Sequence, residues 1–162
     1  SEYLKVAHGL VRGRPAALDL DRERALQQVL VDAARDRVIC SAHDCAEGGF
    51  AVTLAECCVE GGGVGARVDL AGPDAADDRF ALVRALFGEA PSRVVVSVAS
   101  GERDRLLAHA RELSVPATLI GQTGGESLTI AVAGDVVADI GLDAAEQAWA
   151  DGLTRHFESA AA

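Results

Sequence analysis

Apolar positions along this chain recur with two periods, about 3.6 and about 2 residues, and the two alternate. Tyr3 to Leu10 is an apolar opening segment closed by a turn at Gly13-Arg14-Pro15. Leu26, Val29, Leu30, Ala33 and Ala34 then make a helical stripe that runs to about Arg35, with Asp19 or Asp21 able to cap its start. A short strand is expected over Arg37 to Ser41, and a second helix from the Gly48-Gly49 pair to about Glu60, burying Phe50, Leu54, Ala55 and Cys58. Gly61-Gly62-Gly63 stops that helix. Val64, Ala66, Val68 and Leu70 alternate as one face of a strand, and Gly72-Pro73-Asp74 breaks it. A third helix over about Ala76 to Phe87 would turn Phe80, Val83, Leu86 and Phe87 inward.

Arg93 to Val98 is strongly β-branched and reads as a strand. Glu102 to Leu113 is amphipathic, with Leu106, Leu107, Ala110 and Leu113 on one side. Short strands follow near Ala117–Gly121, Ser127–Val132 and Val136–Ile140, with Gly124-Gly125 and Gly134-Asp135 read as hairpin turns. A last helix, Asp143 to Phe157, presents Trp149, Leu153 and Phe157. This order predicts an α/β (α+β) fold: a mixed β-sheet with helices packed on its faces. No repeat or linker divides residues 1–162, which read as a single domain, and Ser159 to Ala162 read as a disordered tail. A chain of this length buries roughly 68–70% of its unfolded surface, so it needs no disulfide or metal to fold.

Charge narrows the function classes. The formal net charge is -10, and the lysines and arginines are dispersed, which argues against duplex nucleic acid as a partner. The apolar runs are far shorter than the ~20 residues that span a bilayer, so no membrane role is expected and a soluble, cytoplasmic protein is. The chain has no methionine, and Ser1-Glu2-Tyr3-Leu4-Lys5 has no signal-peptide character. Ser1 is therefore expected to be a cut point within a longer protein, with initiator removal as the alternative. Cys40, Cys45, Cys57 and Cys58 lack the paired C-x2-C spacing of zinc sites and read as reduced thiols buried as small hydrophobes.

Two segments could carry chemistry. From Cys40 to Phe50 the chain runs strand, acidic turn, glycine pair, helix. Gly48 and Gly49 permit close backbone approach, and a helix N-terminus favours an anion such as phosphate. Asp44 could then hold Mg2+ bridging phosphate oxygens. The plainer alternative is Asp44 as a helix cap and Gly48-Gly49 as a tight turn. His43 could act as acid or base, or simply be hydrogen-bonded at a strand end. Cys45 beside it invites a nucleophile reading, but no third group orients the base. In the second segment, Phe87 to Arg93, Ser92 and Arg93 sit where a strand begins, and Arg93 could grip phosphate in a fork or fix the loop by a salt bridge to Glu89 or Glu56. His8, His109 and His156 read as surface or boundary residues.

Several motifs in combination carry a resemblance. They are Ser1-Glu2-Tyr3-Leu4-Lys5, Ser41-Ala42-His43-Asp44 with Glu47-Gly48-Gly49, and Leu86-Phe87-Gly88-Glu89 with Pro91-Ser92-Arg93-Val94-Val95-Val96-Ser97. Val115-Pro116-Ala117-Thr118-Leu119-Ile120-Gly121 and Gly124-Gly125 follow in order. Together they resemble the synthetase subunit of phosphoribosylformylglycinamidine synthase across essentially the whole chain. The wider family includes aminoimidazole ribonucleotide synthetase, selenophosphate synthetase and thiamine-monophosphate kinase, all pairing an N-terminal domain with a C-terminal α/β domain.

The resemblance implies the fourth and last domain of an ATP-dependent ligase of purine biosynthesis, one that makes formylglycinamidine ribonucleotide from formylglycinamide ribonucleotide, glutamine and ATP. It implies ATP and Mg2+ as cofactors of the whole enzyme. Its partners would be the remaining synthetase domains, a glutaminase subunit and a small bridging subunit; an end at Ala162 would fit the short form of the enzyme. It assigns no catalytic residue here, so the isolated chain is expected to be inactive. By the family's internal symmetry Asp44 corresponds to a metal-binding aspartate, with His43, Gly48, Gly49, Ser92 and Arg93 as candidate nucleotide or phosphate contacts. Cys45 and Ala46 depart from the aliphatic and hydroxyl residues usual in this turn, which removes one phosphate donor. A non-catalytic scaffold, and the equivalent domain of another family member such as aminoimidazole ribonucleotide synthetase, are the competing readings.

Overall fold

In a computed structural model the helix expected from the first stripe is α2, Leu20–Arg35, preceded by a short α1, Glu2–His8. Asp19, not Asp21, caps α2: its side chain accepts from the Asp21 and Arg22 amides at 3.0 and 3.1 Å, satisfying two of the helix's orphan donors. The structure describes residues 2–14, 16–72 and 80–160, with the backbone alone at residues 2, 3, 153–156 and 158–160. The expected roles of Ser1, Pro15, Pro73, Asp74 and Ala76 lie outside the described residues, as do the side chains of Leu153 and His156 and the end of the C-terminal tail.

The remaining elements are β1 (Ile39–Asp44), α3 (Gly49–Glu60), β2 (Ala66–Leu70), α4 (Ala81–Phe87) and β3 (Val94–Val98), a 3-10 turn (Ser100–Glu102), α5 (Arg103–Glu112), β4 (Gly121–Thr123), β5 (Ser127–Val132), β6 (Asp135–Gly141) and α6 (Leu142–Ala160). They divide into two compact units, Ser1–Thr53 with Ala75–Leu119, and Leu54–Asp74 with Ile120–Ala162. The α/β class holds, but the strands form two sheets, not one.

In the first unit β1 pairs antiparallel with β3. Val29 and Ala33 of α2, Val38, and Leu106 and Ala110 of α5 form its core, with Val96 and Val98 packed against them. Removing such apolar surface from water at about 25 cal/mol per Å2 is the main driving force for docking helices on a sheet. Of the expected α2 stripe, Ala34 is exposed. β1 runs through Asp44, beyond the expected end at Ser41, because β3 supplies partners as far as the Asp44–Val94 pair. Cross-strand hydrogen bonding outweighs the turn preference of an Asp. Phe80 lies in a turn before α4 and is 60% exposed, contrary to the inward face expected of it.

In the second unit the sheet order is β4-β2-β5-β6, with β2 and β5 parallel and the other pairs antiparallel. β2 alternates as expected: Ala66 and Val68 are buried, Arg67 and Asp69 exposed. Gly124-Gly125 is not a hairpin turn, because β2 lies between β4 and β5. Its amides and carbonyls instead meet Gly65: Gly124 donates to the Gly65 carbonyl at 2.7 Å, and Gly65 donates to Gly125 at 2.9 Å. β4 lies later than the expected Ala117–Gly121; a side chain at Gly121 would run into the Arg67 carbonyl. The β5–β6 turn is Ala133-Gly134, one residue earlier than expected, with φ of 53° and 86°, the doubly left-handed geometry of a two-residue hairpin.

Candidate functional site

The antiparallel register that extends β1 also brings the two candidate segments together. Asp44 pairs with Val94, and the Cys45 amide donates to the Arg93 carbonyl at 2.8 Å. Asp44, Ser92 and Arg93 consequently line one cleft of about 670 Å3 in the first unit. Its apolar wall is Leu18, Leu26 and Leu30, and Glu23, Glu47 and Glu89 add carboxylates. Asp44 and Arg93 thus border the same cleft. Gly48 and Gly49 lie just beyond, at the start of α3, while His43 does not line the cleft.

Each polar group near the cleft has a definable task. The Asp44 side chain is 70% exposed, with Oδ1 3.8 Å from His43 Nδ1. His43 Nδ1 lies 2.8 Å from the Asp44 carbonyl oxygen, where a protonated Nδ1 donates. The expected helix cap is not Asp44. Glu89 Oε1 accepts the Gly48 amide at 3.3 Å, so the carboxylate at the start of α3 comes from the α4–β3 loop. Thr53 is buried and its hydroxyl donates toward the Asp44 and Gly49 carbonyls, each at 3.1 Å, tying the strand end to the first turn of α3. Thr53 carries no motif that marks it in the sequence, although a hydroxyl four residues into a helix commonly bonds the preceding turn.

Arg93 is held inside the fold. Its guanidinium donates to the Ala85 carbonyl at 3.4 and 3.5 Å, one of the carbonyls left without a helical partner at the end of α4, and it lies 4.9 Å from the Phe50 ring. Neither carboxylate expected for it is its partner in these contacts. Ser92 adopts φ of 59°, unusual for a residue with a side chain, and its hydroxyl donates to Glu23 Oε2 on α2. That bond, with a second from Gln27, holds the Glu23 carboxyl below its ordinary value.

Gly48 and Gly49 have φ of 77° and 70°. A Cβ at Gly48 would stand 2.6 Å from Val52, and one at Gly49 would stand 2.7 Å from the Phe87 backbone. Both positions therefore need glycine for packing alone. Cys45 is 1% exposed, and burial pushes its thiol up despite the opposing effects of Arg93 and Thr53, so it is no nucleophile. Cys58 is likewise buried with a raised thiol, whereas Cys40 is exposed, contrary to expectation. Among the described residues no three His, Cys, Asp or Glu side chains cluster to hold a metal. His109, expected as a surface or boundary residue, is half-buried and pairs with Asp32 at 3.2 Å and with Glu112 at 3.7 Å beside a second cleft of about 410 Å3. No described helix is long and apolar enough to cross a membrane.

Known proteins resemble this chain in sequence and in fold. A family model, AIR synthase related protein, C-terminal domain, matches residues 1–133. Phosphoribosylformylglycinamidine synthase subunit PurL of Moorella thermoacetica is 42% identical over 153 residues, 94% of this chain and 20% of the relative. PurL of Thermomicrobium roseum is also 42% identical over 153 residues, with the same coverage. The chain spans about one fifth of the length of these relatives. Among solved structures, T. maritima PurL complexed with ATP overlays with a TM-score of 0.68 at 18% identity, covering 79% of this chain and 22% of that one. The structure of PurLQS from Thermotoga maritima overlays at 0.66 and 18% identity, covering 86% and 23%. At such identities these overlays show a shared fold.

Proposed function

Because this chain belongs to the AIR synthase related protein, C-terminal domain family, we propose that it is the fourth and last domain of the synthetase subunit of phosphoribosylformylglycinamidine synthase. The observation that carries this reading is the 42% identity to two such subunits across 94% of the chain. The whole enzyme would consume formylglycinamide ribonucleotide, glutamine, ATP and water and release formylglycinamidine ribonucleotide, glutamate, ADP and phosphate. ATP would phosphorylate the amide oxygen, and ammonia from glutamine would displace the phosphate. The fold shared with T. maritima PurL complexed with ATP fits a nucleotide role for the whole enzyme, and the fold shared with PurLQS fits work with partner subunits, which on this reading would be a glutaminase and a small bridging protein. A cytoplasmic enzyme fits both.

Within this domain we assign the nucleotide-side role to Asp44. Its carboxylate is exposed and the residue lines the cleft, so it suits a single protein ligand to Mg2+. Magnesium is commonly bound by one or two carboxylates and completed by waters and phosphates, so the absence of a three-residue cluster among the described residues does not oppose this. Gly48, Gly49, Ser92 and Arg93 would shape the border of the nucleotide cleft, and His43 would support Asp44 from outside it. The competing scaffold reading is favoured by a specific observation: Glu89, Ser92 and Arg93 are all engaged in bonds within the fold. Asp44→Asn in the full synthetase separates the two. Weaker nucleotide affinity at unchanged thermal stability supports the metal role; changed stability with unchanged affinity supports the scaffold. The isolated chain is expected to show no synthetase turnover, and turnover by it would overturn the domain assignment.

A further inference from the structure

We infer that β6 and α6 form a docking face for an apolar socket with a basic rim on the rest of the same synthetase polypeptide; this rests on the function proposed above. β6 is the outermost strand of its sheet, and Val136, Val137 and Ile140 on it are 59%, 37% and 38% exposed. A seven-residue edge strand carrying apolar side chains is a surface that proteins normally cover. α6 is tied to its own unit at its start, where Leu142 is buried and its amide donates to the Glu126 carbonyl at 3.0 Å. Beyond Ala145 the described side chains are exposed apart from half-buried Asp151, and Trp149 is 62% exposed. A helix of 19 residues draws most of its stability from packing a face against something, and α6 has little to pack against within its own unit. Tryptophan is also the residue type most enriched at the centres of interfaces.

Charge and the extent of the matches identify the occupant. Between Glu112 and Arg155 the sequence contains Glu126, Asp135, Asp139, Asp143, Glu146 and Asp151 but no lysine or arginine. A surface that complements it is therefore basic at its rim. The family model matches residues 1–133, and β6 and α6 lie beyond that match. The synthetase relatives match 94% of the chain, and what they leave out is shorter than α6, so the match reaches into that helix wherever the gap falls. The face thus accompanies membership of a longer chain, of which this one spans 20%, and the remainder of that chain is the occupant.

Trp149 is the only tryptophan here, so its fluorescence reads the face directly. The test compares iodide quenching in the 162-residue chain with quenching in the full synthetase polypeptide in which Trp149 is the sole tryptophan. Emission is expected to move to the blue and to resist iodide in the full polypeptide. Trp149→Ala there is expected to speed proteolysis within α6 by roughly tenfold or more, and Glu146→Lys to speed it less. Equal quenching in the two chains would overturn the docking face. So would protection of the short chain as it dimerises in sedimentation, or protection of the full polypeptide that develops only when a glutaminase subunit is added. Synthetase turnover by the same full polypeptide tests the functional reading separately.

Discussion

Glu89 and Gly48 meet across 41 positions of the chain, with Glu89 Oε1 accepting the Gly48 amide at 3.3 Å. The bond puts a carboxylate of the protein's own at the start of α3, the place where phosphate was expected from the glycine pair. It also fastens the loop carrying Ser92 and Arg93 to the turn that follows Asp44. Glu89→Ala is expected to lower unfolding free energy by about 1–2 kcal/mol, since it leaves a part-buried donor without this partner. Urea denaturation measures this, and a change within error would show that water replaces the carboxylate without cost.

Gly49 combines φ of 70° with a close approach to the Phe87 backbone, whereas Gly62 has φ of 85° and open space around its Cβ position. Gly62→Ala should cost about 1–2 kcal/mol from the left-handed backbone alone. Gly49→Ala should cost distinctly more, because backbone at Phe87 must also move. Equal melting temperatures for the two variants would contradict the packing argument.

Glu23 titrates below the usual carboxylate range in the folded chain, chiefly because Ser92 donates to it. A depressed folded value means the bond stabilises the fold above the unfolded pKa and loses that contribution as pH falls through the folded value. Ser92→Ala should therefore return the Glu23 titration, followed by NMR, toward its ordinary position. The stability gap between the two proteins should be largest near neutral pH and narrow in acid.

Thiol reactivity should follow burial. Cys40 is exposed, whereas Cys45 and Cys58 are buried with thiols pushed up by that burial. Iodoacetamide at neutral pH should label Cys40 well before Cys45 or Cys58, which should react only once the chain unfolds. Mass mapping of early labelling at Cys45 would refute the inert-core reading of that residue.

Local chemistry was legible without coordinates. The α2 stripe and the acidic cap before it, the glycine stop after α3, the alternation of β2 and the β-branched run of β3 follow from side-chain periodicity and backbone preference, which act over a few residues. The family was legible too, because its motifs are short and contiguous. Strand pairing was not. That β2 separates β4 from β5, turning an apparent hairpin at Gly124-Gly125 into a contact with Gly65, depends on hydrogen bonds between residues about sixty positions apart. Asp44 and Arg93 share a cleft because β1 and β3 pair in one register, and Glu89, not Asp44, is the carboxylate at α3 because the tertiary fold brings the α4–β3 loop to the start of that helix. Trp149, placed by its spacing on an apolar helix face, is exposed here because what a helix face packs against is set by the surrounding chain and not by the helix's own pattern.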